Sequence, residues 1–207
     1  MKVIKCDQYS DAWYAVREGI PTASSAAEII TPKTGKLSAQ AEGYIDELLC
    51  ERAGFVDDPR NRSKWELRGK DMESEARAFF EFDTGLEVVQ VGFVTNDDGT
   101  AGCSPDGLIH VDPESGFEVK CPMAKTHMGY LRRGALPDFY RPQVHWGMAV
   151  SGLNRWWFMS YYPGLDPLIV KVTRDEYTEA VAKALAEFVE RLEAESRRLG
   201  LAWREAA

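Results

Sequence analysis

Apolar residues recur along this chain with two periods, and each change of period marks an element. Ala41, Tyr44, Ile45, Leu48 and Leu49 fall three and four apart, one stripe of a helix over residues 38–52 that Gly54 ends. Trp65, Met72, Ala76, Phe79 and Phe80 form the apolar side of a long helix over 65–82, closed by Gly85. Tyr177, Val181, Leu185, Phe188 and Leu192 stripe a third, running to Gly200 after a capping box at Thr173-Arg-Asp-Glu176. A short amphipathic helix is expected over 10–18, with Ser10 as N-cap and Gly19 as stop. A second, capped by Ser24, runs through Ile30. Residues 137–150 read as a helix with Pro142 in its first turn, and 125–134 as helical or irregular.

Between these, the period falls to two. Residues 86–95, 155–162 and 168–172 are rich in β-branched and aromatic residues, and 107–111 and 117–121 flank the turn Asp112-Pro-Glu-Ser-Gly116. Helices, strand, hairpin, helix, two strands and a last helix make an α/β sandwich around a mixed central sheet. At 207 residues and 44% apolar content, one domain over 1–207 with a C-terminal helix is expected.

Composition excludes some classes and leaves others open. No apolar run reaches bilayer length, and the first residues turn polar too early for a secretory signal. Cys6, Cys50, Cys103 and Cys121 form no CxxC pair and read as reduced thiols of a cytoplasmic protein. A zinc site from Cys103, His110 and Cys121 is the alternative use of these residues, but it is not expected, since His110 and Cys121 sit at no usual zinc spacing. The net charge of −8 does not decide for or against nucleic acid, because basic residues cluster at Arg60-Asn-Arg-Ser-Lys64, Arg68, Lys70, Lys33 and Lys36. Lys33, in the turn-rich loop 31–36, is placed to touch a duplex backbone.

The hairpin carries the candidate chemistry. Side chains alternate along a strand, so Glu118 and Lys120 share one face while Phe117, Val119 and Cys121 share the other. Folding the hairpin brings Asp106 toward Glu118. Two carboxylates beside an amine make a hard-oxygen site for Mg²⁺ or Mn²⁺, suited to phosphodiester hydrolysis. The plainer alternative is a solvent-facing Glu–Lys pair of little energetic weight.

Cys103-Ser-Pro-Asp-Gly-Leu108 followed by Glu118-Val-Lys-Cys-Pro122 resembles the phage lambda exonuclease family, the viral recombinase branch of the PD-(D/E)xK nucleases. Pro21-Thr-Ala-Ser24, Gly69-Lys-Asp-Met-Glu73 and Gln143-Val144 stand in the family's order at nearly its spacing, so the resemblance covers most of the chain. It implies a restriction-endonuclease-like core and a metal-dependent 5′→3′ exonuclease of duplex DNA, releasing 5′ mononucleotides and leaving 3′ single-stranded tails. It also implies two ions per active site, a ring-shaped homotrimer, a single-strand annealing partner and action in the bacterial host cytoplasm. By the same resemblance Asp106, Glu118 and the Val119 carbonyl ligate metal, Lys120 acts on the attacking water, and Glu73 and Gln143 support the site. Arg17, Ser24 and Ser104 would hold the 5′-phosphate. His145 stands where the family often has a second glutamine, leaving open whether Gln143 acts alone. An endonuclease with the same hairpin and a catalytically silent DNA-binding or scaffold protein remain the alternatives.

Overall fold

Strand β5 (Ser115–Lys120) is the structural axis: it pairs antiparallel with β4 (Gly107–Ile109) on one side and parallel with β6 (Arg155–Ser160) on the other. A parallel pair needs a crossover. Helices α5 (Ala124–Arg133) and α6 (Arg141–Ser151) supply it, and β7 (Leu168–Thr173) completes this mixed four-stranded sheet. A second, antiparallel sheet orders β1 (Lys2–Ile4), β2 (Phe93–Thr95) and β3 (Gly102–Cys103). The remaining helices are α1 (Asp11–Arg17), α2 (Ala26–Ile29), α3 (Ala41–Arg52), α4 (Lys64–Thr84) and α7 (Glu176–Arg198). This is a computed structural model that describes residues 1–56, 64–111 and 114–201, with backbone alone over 64–67. The basic cluster expected at 60–64, the Trp65 side chain and the turn tip at Asp112 and Pro113 lie outside the described residues.

The alternation along β5 sorts the core into two layers. Phe117 and Val119 point to α4 and pack with Ala76, Phe80, Ile109 and Met159. On the opposite face Trp156 and Phe158 join α6 and α7 through Val144, Trp146, Val181, Leu185 and Phe188. The expected stripes on α3 and α7 are buried as read. On α4 the stripe is narrower: Ala76 and Phe80 are buried but Phe79 is exposed.

Two glycines set the height of α6 above the sheet. A Cβ on Gly116 would lie 2.4 Å from the Trp156 ring, and one on Gly147 would lie 2.6 Å from the same ring. The Trp156 indole therefore fills a slot between β5 and α6 that only glycine on both walls leaves open. Gln143 lies one turn before Gly147 and Glu118 two residues after Gly116, so this slot also fixes how near those two come.

Several boundaries differ from expectation. Residues 86–92 form no strand: β1 pairs only with Phe93–Thr95 of the expected strand 86–95, and Val89 bridges Leu108 in isolation. Ser24 caps no helix: it lies in a 3-10 turn (Ala23–Ser25), and its hydroxyl accepts from Arg17. The capping box of α7 is built by Asp175 and Thr178, two residues after the expected Thr173, which β7 retains. No helix among the described residues is long and apolar enough to cross a membrane.

Candidate active site

Asp106 precedes β4, and its position is fixed by the hairpin: its Oδ2 accepts from the Val119 N–H at 2.7 Å across the pair. Glu118 projects from β5 toward α6. Its Oε1 accepts from Gln143 Nε2 at 2.6 Å and faces Lys120 Nζ at 2.6 Å. Glu118 is 4% exposed, which removes the reading of a solvated surface pair. Glu73 reaches the same place from α4, lining one cleft with Asp106.

The electrostatics record this convergence. Burial, with repulsion from Glu118 and Glu73, holds the Asp106 carboxyl well above its ordinary range despite the attraction of Lys120. Burial also raises Glu73, which Glu118 repels and Lys120 attracts. For Lys120, burial works against the charge, but Glu118 and Asp106 overcome it and keep the ammonium form. Three acids thus converge, with Lys120 the cation acting on Asp106, while Lys70 and Arg77 also act on Glu73. A divalent cation would relieve the repulsion that remains between the acids. Among the described residues no three Asp, Glu, His or Cys side chains enclose an ion by themselves. The fitting donor set is Asp106 and Glu118, an open hard-oxygen pair that leaves room for water and substrate oxygens. The zinc alternative finds no support, since Cys103 is buried in the core and His110 is exposed against Glu114.

A second cluster lies beside the acids. Arg17, at the end of α1, donates from Nη1 to Ser104 Oγ at 2.9 Å and from Nη2 to Ser24 Oγ at 3.0 Å and Thr22 Oγ1 at 3.3 Å. Trp13 Nε1 also donates to Ser104 Oγ, at 2.9 Å, and the Arg17 guanidinium sits 4.1 Å from the centroid of the Trp13 ring. Burial lowers the Arg17 pKa, partly offset by Tyr44, Tyr9, Cys103 and Glu51. Among the described residues Arg17 has no carboxylate at ion-pair distance, so a fork of donors faces hydroxyls alone. Such a guanidinium is short of one anion.

Of the residues read from sequence, the fold brings Asp106, Glu118, Lys120, Gln143 and Glu73 into one group and Arg17, Ser24 and Ser104 into another. Lys33 stays exposed on the loop 31–36 and makes no hydrogen bond or ion pair with a described residue. His145 is turned away: its Nδ1 faces Thr178 Oγ1 on α7 at 2.7 Å. Two positions along a helix are more than half a turn apart, so only one of Gln143 and His145 can face the acids. Sequence reading missed Trp13 and Thr22 in the Arg17 cluster. The Trp13–Arg17 spacing of four on a short helix was the available signal. It also missed Tyr140, whose ring centroid lies 5.4 Å from Lys120 Nζ.

Comparison with known proteins agrees with this architecture. Residues 12–154 match the model of the YqaJ-like viral recombinase domain family. An alkaline exonuclease (LHK-Exo) from Laribacter hongkongensis is 29% identical, with a TM-score of 0.78 over 92% of this chain and 96% of that one. The same exonuclease in complex with dAMP gives 29% identity and a TM-score of 0.73, over 92% and 98%. A phage-related exonuclease from Haemophilus somnus 129PT shares the fold at 16% identity, with a TM-score of 0.60 over 85% and 96%. No curated protein matches in sequence. The mixed α/β architecture is that of the PD-(D/E)xK-type nucleases. With most of its length matched, the chain belongs to the YqaJ-like viral recombinase domain family, of the lambda exonuclease type.

Proposed function

We propose that this protein is a metal-dependent 5′→3′ exonuclease of duplex DNA in phage-type recombination, releasing 5′ mononucleotides and leaving 3′ single-stranded tails. The observation that carries the reading is the adjacency of two groups. Arg17 is hydrogen-bonded to Ser24 and Ser104 in a cluster that would hold an anion, and the chain from Ser104 to Asp106 leads into the acidic group. A nuclease that held a 5′-phosphate in the first would place the next phosphodiester at the second.

Asp106 and Glu118, with the Val119 carbonyl, would hold Mg²⁺ or Mn²⁺, two ions per site. Bound there, the metal would polarise the phosphoryl oxygen and lower the pKa of a water. Gln143 fixes the Glu118 carboxylate, and the Val119 N–H fixes Asp106, so both present their oxygens without reorganisation. Lys120 donates to the attacking water or to the charge developing on phosphorus oxygens, and Glu73 orients that water. Water adds to phosphorus, the bond to the 3′ oxygen breaks, and that oxygen leaves with a proton. Each cut exposes a new 5′-phosphate for the Arg17 pocket. Lys33 would touch the duplex backbone.

The reading includes one nuclease domain over 1–207, a ring-shaped homotrimer and a single-strand annealing partner. The deciding assay compares linear duplex carrying 5′-phosphates with covalently closed duplex, in Mg²⁺ and in EDTA. Mononucleotide release from linear DNA alone, abolished by EDTA, is expected. Cutting of the closed substrate would instead identify an endonuclease, and no cutting of either a binding protein.

A further inference from the structure

Tyr9 is the one non-glycine residue at positive φ, 74°, among the described residues. A side chain there crowds its own backbone, and glycine would take the same turn without strain. Such a conformation persists where the surroundings hold it. Gln8 Nε2 pins the segment by donating to Val91 O and to Pro105 O, both at 2.9 Å. Cys6 lies so close to Gly92 that a Cβ there would meet the Cys6 carbonyl at 2.2 Å.

What this segment builds is a wall. Tyr9, Lys70, Glu73, Gly92 and Asp106 border a cleft of about 280 Å³. The Tyr9 ring is held by Lys70 Nζ, 4.0 Å from its centroid, and by the tilted Trp13 ring, with centroids 5.0 Å apart. Trp13 in turn carries the Arg17 guanidinium. A row of two rings between two cations, Lys70, Tyr9, Trp13, Arg17, thus connects the acidic cleft to the Arg17 cluster.

Resting on the exonuclease reading above, we infer that Tyr9 contacts the 5′-terminal nucleoside, the unit that must lie between the phosphate held at Arg17 and the phosphate cut at Asp106 and Glu118. The cleft is of nucleoside size and borders Asp106 directly, while Tyr9 touches the aromatic neighbour of Arg17. The ring, not the turn, is what a strained tyrosine adds over a glycine at this place. Pressing on the base, it would set the register of the scissile bond independently of base identity, since every base offers a flat apolar face.

The test compares duplexes with an ordinary or an abasic 5′-terminal residue, both 5′-phosphorylated, measuring release of the first residue. In the wild type, loss of the terminal base should slow release on the order of tenfold, as expected for one base–aromatic contact. Tyr9→Gly should slow release from the ordinary end by a similar factor and abolish the difference between the two ends. Tyr9→Phe should keep it. Both rates come from one preparation, so their ratio is independent of the folded fraction. A Tyr9→Gly variant that retains the full ratio, or a wild type indifferent to the base, overturns the assignment. A wild type that digests neither linear duplex sinks the exonuclease reading itself.

Discussion

Gln143 Nε2 lies 2.6 Å from Glu118 Oε1, and this contact joins the crossover helix to the strand that carries the acids. It holds one carboxylate oxygen from one side while Lys120 holds it from the other. Gln143→Ala is expected to leave the fold intact and lower turnover on linear duplex about ten- to hundredfold, the worth of a hydrogen bond to a charged group. Gln143→Glu should do worse, because it sets a further negative charge against Glu118. Turnover at saturating DNA, with melting temperature as control, checks both; an unaffected Gln143→Glu would remove Gln143 from the site.

The same contact depends on the glycine slot around Trp156. Gly147→Ala puts a methyl 2.6 Å from the indole, in a layer with no room to yield. Overpacking of this kind costs about 1–3 kcal/mol, and pushing α6 outward draws Gln143 off Glu118. Urea unfolding should therefore show lower stability, and turnover per folded molecule should fall with it. Adding Trp156→Phe shortens the offending ring and should recover part of both losses. Additive losses in the double variant would mean that the two residues do not share one slot.

The Arg17 pocket predicts a preference for 5′-phosphorylated over 5′-hydroxyl ends. A terminal monoester carries more negative charge than a diester and can take both arms of the guanidinium. A preference of roughly ten- to hundredfold is expected from a charged hydrogen bond expressed in the transition state. Arg17→Ala should bring the two rates together, and Arg17→Lys should restore only part of the difference, since it returns the charge without the fork. Initial rates on both ends decide. Equal rates in the wild type would place the phosphate elsewhere.

How far the sequence revealed this depends on the range of each signal. The stripes of α3 and α7 and the Glu118–Lys120 alternation were legible because each lies within one element. Residues 86–92 also alternate, but alternation shows a capacity to pair and not a partner. Three-residue β1 reaches only Phe93–Thr95, and Cys6 fills the space over Gly92. The capping box was misplaced because Arg174 N–H is bound by Asn154 O, which carries the extended backbone past Thr173. Gln143 was separable from His145 only once α6 had a direction. The Tyr9–Lys70 contact joins residues far apart in sequence, and no local pattern announces it.

His145 predicts an acid-sensitive core. Its ring is 2% exposed, and burial pushes its pKa down to about 4, opposed by Asp175 and assisted by Arg141. The Tyr177 ring covers it edge-on at 4.8 Å between centroids. An unfolded histidine titrates at about 6.5. Between those values the unfolded chain takes up a proton that the folded protein refuses, so this stability is complete above pH 6.5 and drains away as pH falls toward 4. The loss between pH 7 and pH 5 should be about 2 kcal/mol. Urea titrations at the two values should show it in the wild type and a smaller slope in His145→Gln. Parallel slopes would assign the acid sensitivity to other groups.

The acidic group predicts a trade between stability and activity. Asp106 is half-buried beside Glu118 and Glu73, and repulsion and burial both disfavour its charge. Asp106→Asn removes that charge but keeps an oxygen to accept the Val119 N–H. In EDTA the variant should melt higher than the wild type, by about 2–4 °C for each kcal/mol of repulsion relieved in a chain of this size. Mg²⁺ binding only the folded protein would raise the wild-type melting point, about 2.7 kcal/mol being available at a hundred times Kd. The variant should lose that response along with its nuclease activity. Scanning both proteins with and without Mg²⁺ separates a ligand from a structural residue: a ligand's replacement stabilises the metal-free protein and abolishes the metal response. A variant that melts lower in EDTA yet still responds fully to Mg²⁺ would show that Asp106 serves the hairpin and not the ion.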